Sequence, residues 1–280
     1  MEVDNMEKQK VIVVGCNGAM GQIICRLISQ SEDLEIFAGL DTAAREFSEF
    51  PVLESVEELK TFIEETDEIR TETYVIVDFS EPDCTMEVLG KIAIPMNIAM
   101  VIATTGFTPE QLNLIQDYID GKVLLRDTGN DALIFMASNM SYAINLLTQT
   151  LKQIAPKLAK DYDIEIVETH HNRKADAPSG TAKSMAVAIN DSLNNENEII
   201  YGRTGKRKEN QIGIASVRGG NVVGEHEIRF IGQSDEIIII HRAFSRELFA
   251  EGALKAIRFL FKEIDEGDGF SHLYTMQDLD

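Results

Sequence analysis

Through the first half of the chain, short apolar runs alternate with longer segments of helical period. "KVIVVG" (10–15), "LEIFAGLD" (34–41), "TYVIVDFS" (73–80) and "AMVIATTGF" (99–107) are apolar, rich in β-branched residues and of strand length. Between them, "AMGQIICRLISQ" (19–30), "VEELKTFIEET" (56–66), "PDCTMEVLGKIA" (82–93) and "TPEQLNLIQDYID" (108–120) have helical periodicity, and Pro109 suits a first helical turn. Strands separated by helices predict a parallel sheet covered on both faces.

After about residue 140 the pattern changes. A long amphipathic helix (141–160) leads into a strand, "DIEIVETHH", and then a helix that opens on "SGTA" (179–182). Three strand-like runs follow almost back to back: "QIGIASVRGG", "VVGEHEIRFIG" and "DEIIIIHRAF". Joined by turns that contain glycine, they predict an antiparallel or mixed sheet in a second domain of α+β type. The run "EIIIIH" (236–241) is too short to cross a bilayer and suits a buried strand; "NDSLNNENE" (190–198) reads as a flexible loop. A last helix, 245–264, is placed to rejoin the first domain. The expected organisation is α/β: a Rossmann-like parallel-sheet domain over 1–140, rejoined by 247–280, and a second domain over 141–246. A cleft between two domains is a common place for a ligand.

Composition narrows the function. In 280 residues, 44% hydrophobic and 26% charged, Asp and Glu number 47 against 26 Lys and Arg, a formal net charge of −21. That field repels phosphate backbones and argues against nucleic acid as a partner. The polar N-terminus and short apolar runs argue against membrane association, and the three cysteines, Cys16, Cys25 and Cys84, lack C-x-x-C spacing. Reduced thiols in the cytoplasm are the plain expectation. An anionic ligand would need cations or helix termini gathered locally.

Two places in the chain meet such needs. In "VIVVGCNGAMG" Gly15, Gly18 and Gly21 fall at a strand-to-helix turn, and Asp41 ends the next strand twenty positions after Gly21. Glycines let the backbone turn sharply and approach a pyrophosphate, the helix start offers N–H groups, and the acid can accept from a ribose. Thr42 follows the acid where an arginine would favour a 2′-phosphate, so NADH is favoured, with Arg45 near enough to keep NADPH possible. The second place is "ETHHNRKADAPSGTAKS" (168–184). Ser179, Gly180 and Thr181 open a helix where N–H groups and hydroxyls can hold a carboxylate, Lys174 adds a point charge, and a histidine suits proton transfer near neutral pH. Adjacent strand residues face opposite ways, so His170 and His171 cannot share one role. A metal is not expected, because His170, His171 and Asp176 lack helical ligand spacing. Ser179 as a plain helix cap, Asp176 as a loop-shaping residue and structural roles for His226 and His241 are the bland accounts. Arg218 and Arg246 fit anion binding or surface ion pairing equally well.

Together "VGCNGAMG", "ATTGF" (103–107) and "ETHHNRKADAPSGTA", with "SVRGGNVVGEHEI" and "HRAFSRELFAEGAL", resemble the 4-hydroxy-tetrahydrodipicolinate (dihydrodipicolinate) reductase family over nearly the whole chain. The resemblance implies a homotetramer that reduces a small dicarboxylate with NAD(P)H on the route to diaminopimelate and lysine. It implies cofactor contacts from Gly15, Cys16, Asn17, Gly18, Ala19, Met20 and Asp41. On the nicotinamide side it places Ala103, Thr104 and Thr105 with Ala137, Ser138, Asn139 and Met140. It makes His170 and Lys174 the catalytic pair, and His171, Ser179, Gly180 and Thr181 the substrate-binding residues. Two positions depart from the family pattern: Ala103 stands for its usual glycine, implying a tighter nicotinamide pocket, and Thr42 stands where a basic residue often follows the acid. The alternative is a non-catalytic dinucleotide-binding redox sensor, which would have no use for His170 and Lys174.

Overall fold

The structure, a computed structural model, describes residues 8–42, 49–66, 73–123, 133–267 and 272–279. The chain divides into two compact units, 1–140 with 249–280, and 141–248. No described helix is long and apolar enough to cross a membrane.

In the first unit β1 (Gln9–Val14), α1 (Ala19–Ser29) and β2 (Leu34–Leu40) follow one another, then β3 (Val52–Leu53) and α2 (Val56–Glu65). β4 (Tyr74–Asp78) leads into α3 (Pro82–Val88), which passes through a π-helical turn (Leu89–Ala93) into the short α4 (Ile94–Met96). β5 (Ala99–Ile102), α5 (Pro109–Ile119) and β6 (Ile134–Met136) complete the forward run. Among the described residues seven strands form one parallel sheet in the order β12–β6–β5–β4–β1–β2–β3, where β12 is Leu273–Tyr274. Strands covered on both faces need apolar residues at every position, which is why β1, β4 and β5 read as continuous runs; Val11–Val14, Val75–Val77 and Met100–Ile102 are fully buried. Chain order reverses between β1 and β4, and a parallel sheet opens a crevice beyond the carboxyl ends of its strands at such a point.

The second unit begins with α6 (Tyr142–Leu158), capped by Ser141, whose hydroxyl accepts from the Ile144 N–H. β7 (Asp163–His170), α7 (Gly180–Ser192), β8 (Glu198–Tyr201), β9 (Gln211–Arg218), β10 (Gly224–Ile231) and β11 (Glu236–Ala243) follow. The mixed sheet runs β11–β10–β7–β9–β8, with β10 antiparallel to β7 and β11, and β9 parallel to β7 and β8. Alternation places Ile164 and Ile166, Ile212 and Ile214, Ile228 and Phe230 on one face, buried against Ala182, Met185, Ala186 and Ile189 of α7. α8 (Glu247–Glu266) carries the chain into the first unit, where Arg258 pairs with Asp33 at 2.7 Å.

Two expectations fail on specific physics. "EIIIIH" is the edge strand β11, and its outer face is open: Ile238 and Ile240 are 43% and 50% exposed, and on the inner face Ile237 is exposed too while Ile239 packs on the core. Periodicity cannot tell a core strand from an edge strand whose outer face is also apolar. "NDSLNNENE" is the end of α7, a tight turn and the start of β8: Asn194 and Asn195 take the left-handed conformation (φ 58° each), and Asn190 and Asn197 exchange two 3.0 Å hydrogen bonds. Asparagine tolerates positive φ, so the same composition serves an ordered turn.

Candidate active site

In the first unit the site is made of backbone. Gly15 has φ +75°, and a Cβ there would lie 3.0 Å from the Phe79 and Ser80 backbone. Its N–H donates to Leu40 O at 2.8 Å and its carbonyl accepts from Gly18 N at 3.0 Å. Gly21 meets the turn still more closely, since a Cβ would lie 1.9 Å from Gly15 O. Gly18 caps α1 without any side-chain hydrogen bond, so the N–H groups of the first turn face outward with the positive end of the helix dipole. Asp41 ties the turn to β2: Oδ2 accepts from Asn17 N and Oδ1 from Thr42 N, both at 2.8 Å. Oδ1 also accepts from the Thr42 hydroxyl at 3.4 Å, and Oδ2 keeps acceptor capacity for a further donor. Arg45 lies outside the described residues.

The other cofactor-side candidates arrive on neighbouring strands. Ala103 follows β5 and donates to Asp78 O at 2.9 Å; Thr104 is buried and Thr105 exposed. Ala137, donating to Ile102 O at 3.2 Å, opens the segment after β6 that runs through Ser138 and Asn139 to buried Met140. All fourteen residues therefore stand at the carboxyl edge of one sheet. Among them sits Asp78, which the sequence reading passed over. It is fully buried at the end of β4; Oδ1 accepts from Ser80 N at 2.7 Å, and Oδ2 has no hydrogen-bond partner. Burial pushes its carboxyl above the usual range, against the hydrogen bonds it accepts. A signal existed: an acid closing an otherwise apolar strand run.

In the second unit the site is made of side chains. Glu168 and His170 lie two apart on β7, on the same face as Ile164 and Ile166, and both are buried. His170 Nδ1 stands 2.5 Å from Glu168 Oε2. Arg218, beside His170 on β9, donates to both oxygens of Glu168 at 2.7 and 2.8 Å and to Asp176 O at 2.7 Å. The Ser179 N–H donates to Glu168 Oε1 at 3.2 Å, so one carboxylate ties strand end, neighbouring strand and helix start together. Burial opposes ionisation of Glu168, but Arg218 leads the hydrogen bonds that hold it down at about 2. Burial pushes His170 below its ordinary value and Glu168 works the other way.

Ser179 does cap α7, accepting from Ala182 N at 3.2 Å, and its hydroxyl also meets His226 Nε2 at 3.1 Å. Gly180 and Thr181 open the helix, with nothing within 4 Å of a Cβ added to Gly180. Lys174 folds back through its N–H to His171 O at 3.2 Å, and its ammonium pairs with Asp176 at 2.8 Å. His171 follows the strand and donates its backbone N–H to Val222 O at 2.8 Å. His226 lies on β10 with its ring 5.2 Å from that of His170, edge to face, and burial pushes it down to about 4. Gly224 lies alongside, where an added Cβ would come within 3.0 Å of His170 Nε2. Arg218 is therefore neither a free anion site nor a surface pair but the clamp of a buried carboxylate. Sequence spacing could have marked Glu168 through its i, i+2 relation to His170. Arg218 and Gly224 lie some fifty residues away and carry no local signal. Among the described residues, no three His, Cys, Asp or Glu are grouped to hold a metal ion.

The comparisons with known proteins agree with one another. The family model of the dihydrodipicolinate reductase N-terminus matches residues 9–140, and that of its C-terminus matches 143–279. The chain is 41% identical over 253 residues to the 4-hydroxy-tetrahydrodipicolinate reductase of Clostridium tetani, covering 90% of this chain and 91% of that one. It is 37% identical to the enzyme of that name from Methanoregula boonei, covering 90% and 92%. Among solved structures, dipicolinate-bound dihydrodipicolinate reductase from Paenisporosarcina sp. TG-14 superposes with a TM-score of 0.73 at 25% identity, covering 96% and 98%. The two family models between them span the parallel-sheet unit with its glycine turn and the mixed-sheet unit with its His170–Glu168–Arg218 cluster: this chain belongs to the dihydrodipicolinate reductase family.

Proposed function

We propose that the carboxyl edge of the first unit's sheet holds a nicotinamide dinucleotide and that the His170–Thr181 stretch holds and protonates a small dicarboxylate. The reaction is that of the family, reduction of 4-hydroxy-tetrahydrodipicolinate to tetrahydrodipicolinate in diaminopimelate and lysine biosynthesis. Supporting this most directly, residues that follow four separate strands, among them Gly15, Asp41, Ala103 and Ala137, line the carboxyl edge of one sheet on both sides of the point where strand order reverses.

The uncapped start of α1 and the close-packed glycines leave room and N–H donors for a pyrophosphate, and the spare acceptor capacity of Asp41 suits a ribose. A nicotinamide dinucleotide held by the glycine turn and Asp41 would supply hydride for reduction at C4 of the ring left when 4-hydroxy-tetrahydrodipicolinate loses water. His170 and Lys174 assist protonation at C3. His171, Ser179, Gly180 and Thr181 hold the carboxylates, with the Gly180 backbone open to close approach. The first turn of α7 itself carries no acidic side chain, although the ionised Glu168 already takes the Ser179 N–H at its start.

NADH is the preferred reductant, because Thr42 offers no cation to a 2′-phosphate. The working form is a homotetramer assembled through the second unit's outer sheet face, which carries Val217, Ile238 and Ile240, each between 43% and 50% exposed. Cys16, Cys25 and Cys84 form no disulfide, which suits the cytoplasm.

Loss of nicotinamide absorbance, followed with NADH and separately with NADPH, tests the reading, with substrate made in place from pyruvate and aspartate semialdehyde. Fast NADH oxidation that collapses by about 100-fold or more in His170→Ala is the expected result. Binding of NADH with no turnover would instead favour a redox sensor. In Thr42→Arg, preference should move toward NADPH by about tenfold, the worth of one charge-assisted hydrogen bond.

A further inference from the structure

We propose that Glu168 is a positioning residue that fixes the tautomer of His170, so that the proton leaves the enzyme through Nε2. The proposal rests on His170 being the proton donor of the reaction above.

Glu168 is wholly buried and both its oxygens are engaged, Oε1 by Arg218 and Ser179 N, Oε2 by Arg218 and His170. Arginine stays protonated throughout the working range, so the carboxylate beside it stays ionised. An ionised carboxylate only accepts hydrogen bonds, and the ring nitrogen 2.5 Å away therefore carries a hydrogen. With Nδ1–H fixed, Nε2 is the position that gains and loses the catalytic proton.

The surroundings of that second nitrogen fit the role. Nε2 points toward Gly224, where a Cβ would intrude to 3.0 Å, so the absence of a side chain there leaves this edge of the ring uncovered. The ionisable groups around the ring are Glu168 on its own strand, Arg218 on β9, His226 on β10, and His171 and Lys174 just after the strand; α7 contributes the uncharged Ser179. Glu168 is the anion in this set. Burial and the neighbouring cations disfavour protonated His170, and Glu168 offsets them. A fixed tautomer also holds the ring plane, which a donor needs if its proton is to meet one carbon of the substrate.

Glu168→Gln keeps the shape, keeps an acceptor for Arg218 and removes the charge. Measured beside His170→Ala, it should lower kcat by about 100-fold with NADH binding unchanged. The pH at which kcat falls off on the alkaline side should move to lower pH, a shift that a purely structural role would not produce. In the wild-type protein, nitrogen-15 spectra of labelled histidine should show neutral His170 protonated at Nδ1, a measurement that stands even if the variant fails to fold. Wild-type kcat and pH limb in Glu168→Gln, or an Nε2-protonated neutral ring, would overturn the proposal. If His170→Ala is inactive while Glu168→Gln is not, the donor reading survives and the positioning role falls. If His170→Ala retains full rate, both fall together.

Discussion

Two helix starts in this chain are built in different ways. α1 begins on Gly18 with no side-chain cap, and its turn is built of glycines packed on backbone. α7 begins on Ser179, whose hydroxyl caps the helix while its N–H holds the buried Glu168. The first is specified by what its residues lack, side chains that would fill the space. The second is specified by partners drawn from β7, β9 and β10. A backbone site can be read from spacing because glycine positions are local. A side-chain site depends on strand pairing that spacing does not reveal.

The comparison can be broken most forcefully at its glycines. Gly21→Ala forces a methyl to within 1.9 Å of Gly15 O, and neither partner is a flexible side chain. We expect a loss of about 4 kcal/mol or more in thermal or urea unfolding, with NADH binding abolished. Gly180→Ala, where the space is open, should leave stability unchanged and weaken only the substrate. Equal destabilisation by the two would show that the helix starts do not differ as described.

A smaller effect tests the side-chain half. Arg218→Met strands the carboxylate of Glu168 in the interior and should cost about 3 kcal/mol. Glu168→Leu combined with Arg218→Met should recover most of that stability in chemical denaturation but not turnover. A double variant no more stable than Arg218→Met alone would mean the pair is not the source of the loss.

The smallest effect is in pH, and its sign differs between the units. Asp78 has a raised folded value, so its folded form holds a proton that the unfolded chain gives up above 3.8, and stability falls as pH rises past that point. His226 is lowered from 6.5 to about 4, so the unfolded chain binds a proton first and stability is lost as pH falls across that window. Glu168, lowered from 4.5 to about 2, continues the loss as pH falls through that lower window. Unfolding curves of Asp78→Asn should therefore part from wild type toward alkaline pH, and those of His226→Gln toward acid. Curves parallel to wild type in both cases would remove the distinction.

Much of this was legible beforehand. Continuous apolar runs between helical segments determined the parallel sheet, because strands covered on both faces cannot alternate. The spacing from Gly15 to Gly21 and on to Asp41 determined the turn, and "PSGTA" determined the start of α7, since capping is a local matter. The short strands β3, β6, β8 and β12 were not legible, since two to four residues show no period, and of the strands that short only β5 stood out, as a wholly apolar run. Nor was the exposure of β11, whose sequence is that of a core strand and whose place is an edge. Only the tertiary structure decided which side chains meet His170. The pairing of β7 with β9 and β10 brings Arg218 and Gly224 to it from about fifty residues away, and closes Glu168 off from water. Local chemistry set the elements, and strand pairing chose the partners.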